Sequence, residues 1–519
     1  MQGAGLGSHT HPLASAPQRS RCNQLESRKS RANYLDLWVG MWEVEGHFQI
    51  TPENLRAKQI LRAGALAEGY SAVPEPVPNP SSGRSGLSRP VFFGWYIVAG
   101  GVLIEAFGYG CRYSFSVFFP TLIDQFGWPR DMTASILSTH LLFYGLTAPL
   151  TGYLVDRFGP RATMLSGTIL LAAGLILSRW GSSPWHFYFT FGILTGAGLC
   201  LLGSVSLTMV LRNWFERRRG AAISLVYFGS GAAYGCYPLV AWLIDNLGWR
   251  DAFLAEGIFI LVVFTPLISI IMISHPERKN LVKDGYGPGR GRLPDPSLES
   301  RRIVDQVWAG IDWTLARAVR TGRFWLLCLS TFSMWGLGSH ILVTHQLAFA
   351  LDVGFPRLYA SAVLSLNGLM FGLGTLISLI SDRIGREPTM ILGTILSASG
   401  TLVLVLINNS DQAWMLYYYA LATGIGFGIC VPVTAAIVTD IFQGPKVGLV
   451  VGVVWFSFAL GGAVGPWLGG LLFERTGNYL VAFILAFLAH LVGGGAICLA
   501  APGKVRLVPG RQADHRLGP

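Results

Sequence analysis

The sequence predicts an all-α membrane protein: twelve transmembrane helices arranged as two pseudo-symmetric six-helix bundles. Three observations carry that reading. Of 519 residues, 51% are hydrophobic and only 13% charged, against about 25% charged in soluble chains, and the mean hydropathy is +0.47. The apolar residues come in long runs; residues 187–211 and 221–244 hold no charge over 25 and 24 positions, and about 20 apolar residues cross a bilayer. Two short charged turns sit at matching places far apart, Gly152–Arg161 and Ser381–Arg386, each reading Asp-Arg-x-Gly with a basic residue soon after.

Residues 1–90 stand apart. They are polar, with Arg19, Arg21, Arg28, Lys29 and Arg31 early and a Pro/Ser/Gly stretch from Val73 to Pro90. They lack the apolar core of a secretory signal and read as a disordered tail. From Phe92 onward twelve apolar spans follow: 92–119, 133–155, 162–180, 187–211, 221–244, 252–274, 324–351, 358–380, 388–407, 412–439, 447–473 and 478–500. Each is expected to be helical, because lipid offers backbone groups no other partner. A polar linker, 275–322, divides them six and six, giving bundles at 91–274 and 323–500 and a tail at 501–519.

Basic residues set the orientation. The five loops on the linker side hold nineteen lysines and arginines, and the six on the other side hold five. The positive-inside rule places the linker and both termini in the cytoplasm. The halves also repeat one another. Gly127-Trp128-Pro129-Arg130 matches Gly354-Phe355-Pro356-Arg357 at an offset of 227, Asp156-Arg157 matches Asp382-Arg383 at 226, and the stretch from Asp245 resembles that from Glu474 at 229. Parallel halves with a midplane site between them are a transporter plan.

Other classes are poorly served. No phosphate-binding loop, nucleophile motif or metal-ligand cluster is present, so neither enzyme chemistry nor a cofactor or metal is expected. The seven cysteines are scattered without disulfide or zinc spacing and read as small core residues. The formal net charge of +11 lies beside apolar segments, where it controls topology, so nucleic acid is not expected as a partner. The lipid bilayer is.

The paired turns and the six-plus-six layout resemble the major facilitator superfamily over residues 92–500. Within it, Phe93-Gly94-Trp95, the run Arg112–Phe119 and the loop Trp214–Gly220 are similar to the monocarboxylate transporter and oxalate/formate antiporter branch. The resemblance implies a secondary transporter of a small organic anion, a mono- or dicarboxylate, working by alternating access in a plasma membrane, with a bacterial inner membrane the best fit and a proton as the simplest coupling ion. It also makes Gly152, Asp156, Arg157, Gly159 and Arg161, and Asp382, Arg383, Gly385 and Arg386, the conformational-switch loops. Animal carriers of this branch have an arginine in span eight, preceded by an aspartate. Alignment through Ser378 and Asp382 puts Gly374 and Met370 there, so the anion contact must come from elsewhere.

Ionisable groups within spans are costly and are functional candidates. Glu105 and Arg112 lie seven residues apart in span one, on one helix face and about 10 Å apart along the axis. Arg112 is the candidate anion contact, since guanidinium binds carboxylate bidentately. At the offset of 227, His340 of span seven answers to Tyr113, so Arg112, Tyr113 and His340 are expected to line one cavity. Asn367 in span eight joins them as a substrate contact. Glu105, His140 and His345 are the proton-coupling candidates, although five residues separate His340 from His345, about 140° of helix, so the two do not point inward equally. For each group the alternative is a packing contact within the bundle. Glu256 and His490 are read as structural, and Gly461, Gly465 and Pro466 as helix packing and bending. The rival functions are an exporter of drugs or metabolites, a sugar carrier, or a receptor that binds without transport.

Overall fold

Long helices account for every one of the twelve apolar spans. The computed structural model describes residues 92–215, 218–279, 281–283, 303–444 and 447–508; the expected N-terminal tail, the middle of the linker and the end of the C-terminal tail lie outside them. Among the described residues nine helices are long and apolar enough to cross a membrane. Spans one, two and five are helical too. Span one is interrupted at Ser114, between Gly94–Tyr113 and Phe115–Phe126. Span two, Arg130–Phe158, begins with the charged pair Arg130-Asp131. Span five runs through a 3₁₀ turn, Ala233–Gly235, that joins Arg219–Ala232 to Cys236–Leu247.

The internal repeat is visible in the backbone. Gly127 and Gly354, Gly159 and Gly385, and Gly248 and Gly477 all have positive φ, between 66° and 112°. These are the three repeated landmarks of the sequence, and the turn at each requires a conformation that residues with a Cβ rarely adopt. Another pair was not legible beforehand. Span four widens into a π-helix over Tyr188–Thr195, and span seven does so over Thr331–Gly338. Such wide turns are rare overall and frequent at functional sites.

Within each half the spans approach backbone to backbone, the packing that small residues permit in lipid. A Cβ on Gly428 in span ten would lie 2.0 Å from the Phe371 carbonyl oxygen of span eight. A Cβ on Gly374 would collide with the Ile425 carbonyl, so the span-eight position where the animal carriers have arginine is closed by span ten. Gly461 presses on the Phe332 carbonyl and Gly465 on that of Leu337, which makes the span-eleven glycines packing residues, as expected.

The halves meet along two seams, span two against span eleven and span five against span eight. Gly470 touches the Asp131 backbone, Leu141 meets Gly462 and Gly145 meets Ala459, while Gly231 and Gly368 sit together across the other seam. Two turns further toward the basic loops the same faces part. Gly152, Gly448 and Gly452 have nothing within 4 Å of where a Cβ would stand. The seam is shut on the side opposite the basic loops and open on their side.

The linker is less plain than its sequence suggested. Asp305 caps the short helix Gln306–Ala309 through the Trp308 backbone N–H, and a second short helix spans Leu315–Ala318. The Trp308 indole donates to the Ile441 carbonyl at 2.7 Å, and the Trp313 backbone N–H to that of Gln443 at 3.0 Å. This part of the linker is fastened to the second half.

The backbone contact at Gly428 yields a stability test. Gly428→Ala is expected to lower the thermal midpoint in detergent, at a cost of roughly 1–3 kcal/mol for overpacking. Gly495→Ala, with nothing within 4 Å, should leave it unchanged.

Candidate substrate site at the middle of spans one and seven

Arg112 sits one residue before the end of the first segment of span one, and its side chain is only 2% exposed. Its Nη2 donates to His340 Nε2 at 2.9 Å, across the interface between the halves. The pairing expected from the repeat is therefore present. His340 Nδ1 lies 3.0 Å from the Trp335 carbonyl and 3.1 Å from that of Gly336, both in the π-helical stretch. A guanidinium only donates and a carbonyl only accepts. The ring is therefore the neutral Nδ1–H tautomer, with its one lone pair turned to Arg112.

Around the guanidinium stand four rings. Its carbon lies 5.3 Å from the centre of Tyr144, 5.6 Å from Tyr109, and 5.9 Å from both Tyr113 and Phe458. Cation–π contacts of this kind are worth about 0.5–2 kcal/mol each, less than a buried charge loses on leaving water. Among the described residues no carboxylate pairs with Arg112, and its buried Nε has no partner. Tyr113 stacks on Tyr234 at 4.5 Å and extends the aromatic wall to span five.

Glu105, 1% exposed, takes hydrogen bonds from Ser204 at 3.0 Å and Ser230 at 2.7 Å. It does not reach Arg112 directly. Ser204 is 3.3 Å from the Tyr109 hydroxyl, which is 2.9 Å from that of Tyr144. A chain of hydroxyls thus runs from Glu105 to the rings about Arg112.

The other candidates are occupied elsewhere. His345 Nε2 donates to the Pro466 carbonyl at 2.9 Å, and its ring lies between Phe119 and Tyr479. As the helix angle required, it points away from Arg112. His140 bonds Thr195 at 2.8 Å in the π-helix of span four, leaving Nε2 buried without a partner. Asn367 donates to Thr423 at 2.6 Å and ties span eight to span ten. Glu256 meets Ser114 at 3.2 Å, at the break in span one, in the structural place expected of it. In the two repeated charged turns Arg157 bonds the Tyr153 hydroxyl at 2.6 Å, Arg161 bonds the Ser269 carbonyl, and Arg386 joins Asp382 at 2.8 Å and Asp440 at 3.0 Å. The acid–arginine pairing expected within the turns thus occurs in the second.

Tyr109, Tyr144, Phe458, Ser204 and Ser230 were not anticipated. Tyr109 was findable, being four residues after Glu105 and three before Arg112, on the same helix face. Tyr144 likewise lies one turn after His140. Nothing in the sequence singles out Phe458.

Two six-helix halves around a buried, unpaired cation define an integral membrane carrier. The chain belongs to the major facilitator superfamily, whose family model matches residues 99–380 and 348–514, and it is a transporter and not an enzyme. Within that superfamily its most similar curated relatives include monocarboxylate transporters. It is 27% identical over 429 residues to monocarboxylate transporter 13 of Bos taurus, covering 79% of this chain and 91% of that one. It is 29% identical to monocarboxylate transporter 3 of Rattus norvegicus over 76% of this chain and 77% of the relative. With monocarboxylate transporter 11 of Homo sapiens the identity is 26% over 83% and 85%. A bacterial homologue of the human lysosomal transporter Spinster, crystallised in an inward-facing, occupied conformation, shares the fold, with a TM-score of 0.54 and 14% identity over 80% of this chain and 98% of that one.

Asn367 allows one check of this assignment of parts. Asn367→Leu is expected to lower stability by about 1–3 kcal/mol through the abandoned Thr423 hydroxyl. The apparent KM for a transported solute should stay within about twofold, since less than 1 kcal/mol of binding is at stake.

Proposed function

We propose that the protein is a secondary active transporter of a small organic anion, a mono- or dicarboxylate, and that Arg112 is its anion contact. The observation that carries this is the buried guanidinium whose polar partner is one neutral imidazole. A carboxylate entering the site supplies the missing charge and accepts the free Nε–H. His340 holds the guanidinium in place, and the rings of Tyr109, Tyr113, Tyr144 and Phe458 exclude water, which strengthens the pairing. The names of the curated relatives agree with a monocarboxylate cargo.

Transport proceeds by alternating access. The seams open toward the basic loops and shut on the other side, and rocking one half against the other exchanges those states. The positive-inside rule makes the basic side, with the linker and both termini, cytoplasmic, in a plasma membrane. The monocarboxylate transporters named above are mammalian, so a bacterial inner membrane draws no support from them.

Glu105 is the proton site of this reading. Each hydroxyl of Ser204, Tyr109 and Tyr144 can both donate and accept, so protonation at Glu105 and anion binding at Arg112 act on one hydrogen-bonded chain. His140, with its free Nε2, is the second candidate. A sugar cargo is less well supported, because the cavity amides it needs are taken. Asn367 bonds Thr423, and Gln346 bonds Tyr419 at 2.6 Å and Tyr237 at 3.4 Å.

Uptake of labelled short carboxylates into proteoliposomes tests the site. Arg112→Gln is expected to cut saturable uptake by about 30-fold or more, the loss for ~2 kcal/mol of a charge-assisted contact. If no carboxylate moves while the wild-type protein is folded, the anion reading falls and only the carrier remains; specific binding without flux would point to a receptor. Glu105→Gln is expected to leave carboxylate exchange intact and abolish the stimulation of uptake by an inward proton gradient. Stimulation that survives the substitution removes Glu105 from the coupling.

A further inference from the structure

Two arginines, Arg130 and Arg357, close the interface on the side opposite the basic loops. Each follows a Gly-x-Pro turn at the head of a span, and they are related by the 227-residue offset of the repeat. Arg130, at the head of span two, makes a bidentate pair with Asp352 at the end of span seven, at 2.6 and 2.9 Å. It also bonds the Tyr479 hydroxyl, lies 3.9 Å over the Phe473 ring, and gives its backbone N–H to Glu474 at 2.7 Å. Arg357, at the head of span eight, reaches the first half in the mirrored direction. It bonds the Thr121 hydroxyl and stands 3.8 Å from Asp245 at the end of span five.

We propose that Arg130 and Arg357 are twin latches holding this side of the carrier shut, and that the Arg130 latch carries most of the closing free energy. The inequality is written into the repeat. Glu474 and Asp245 are equivalent at the offset of 229, so both latches have that acid. Asp352 answers to Gln125 at 227, and Tyr479 to Arg250 at 229. At the positions where Arg130 finds a carboxylate and a phenol, the sequence of the other half has an amide and a cation, and among the described residues Arg357 has Thr121 and Asp245 alone. The two pairs are similarly exposed, so geometry separates them: a bidentate pair at 2.6 and 2.9 Å has a fixed orientation, whereas a single 3.8 Å contact contributes little. The inference uses the alternating-access reading and needs no particular cargo.

Ser116 is a natural reporter. It is buried between the halves, bonded to the Val343 carbonyl, on the latched side of Arg112. In vesicles of known orientation, Ser116→Cys is treated with a membrane-impermeant maleimide added to the latched side, and the protein retaining Ser116 gives the background from native cysteines. Adding Arg130→Gln is expected to raise the labelling rate about tenfold, equivalent to about 1.4 kcal/mol taken from the closed state. Arg357→Gln should raise it only about twofold, in keeping with a single long contact. Asp352→Asn should reproduce Arg130→Gln, and the reversed pair, Arg130→Asp with Asp352→Arg, should restore slow labelling. Size-exclusion elution and thermal midpoint verify folding of each variant. Folded variants that label no faster than Ser116→Cys alone overturn the latches, and equal acceleration by the two arginine variants overturns their inequality. Loss of the carboxylate reading would appear in uptake by Arg112→Gln and not in this measurement.

Discussion

A buried guanidinium with no carboxylate partner among the described residues is the constraint around which the rest of this protein is arranged. Charge inside a membrane protein is tolerated when it is paired, wetted or put to use. Arg112 is partly satisfied by one imidazole and four aromatic faces. His340 is equally constrained: with its Nδ1–H held by carbonyls of the π-helical stretch, it offers Arg112 a lone pair and no charge. Both carbonyls belong to the π-helical stretch of span seven, so an irregular piece of backbone adjoins the electrostatics of the centre.

Much of this was legible in the sequence. The twelve spans followed from run length, and the three repeated landmarks followed from glycine spacing, because a turn that needs positive φ leaves its mark on residue identity. The Arg112–His340 pairing came from the same offset, since pseudo-symmetry relates spans one and seven. The unread parts have physical reasons. Phe458 lies in a span so apolar that one more aromatic residue carries no signal, and the π-helices have no compositional signature. Asn367 looked like a cavity amide because the sequence does not say which face of span eight meets span ten; the hydrogen bond to Thr423 shows that it meets that neighbour. The linker looked featureless because Trp308 and Trp313 anchor it singly, without the periodicity of a long amphipathic helix.

The same offset reaches beyond the site. Sequence comparison of the halves drew attention to Gly-x-Pro-Arg at the heads of spans two and eight as a marker of duplication. In the fold those arginines grip the opposite half, and the residues around them have diverged while the arginines themselves correspond. Duplication supplied two equal positions, and the neighbours at Gln125 and Arg250 made them unequal.

The open wedge beside the basic loops has a character of its own. Where span two and span eleven part, the facing positions include Gly152, Gly448 and Gly452. A surface made of bare backbone has no rotamers to freeze when it shuts, so closing it there loses none of the side-chain entropy that ordering long residues would cost. Resistance to motion is then concentrated at the far side, in the contacts of a few charged residues, and the near side behaves as a smooth bearing.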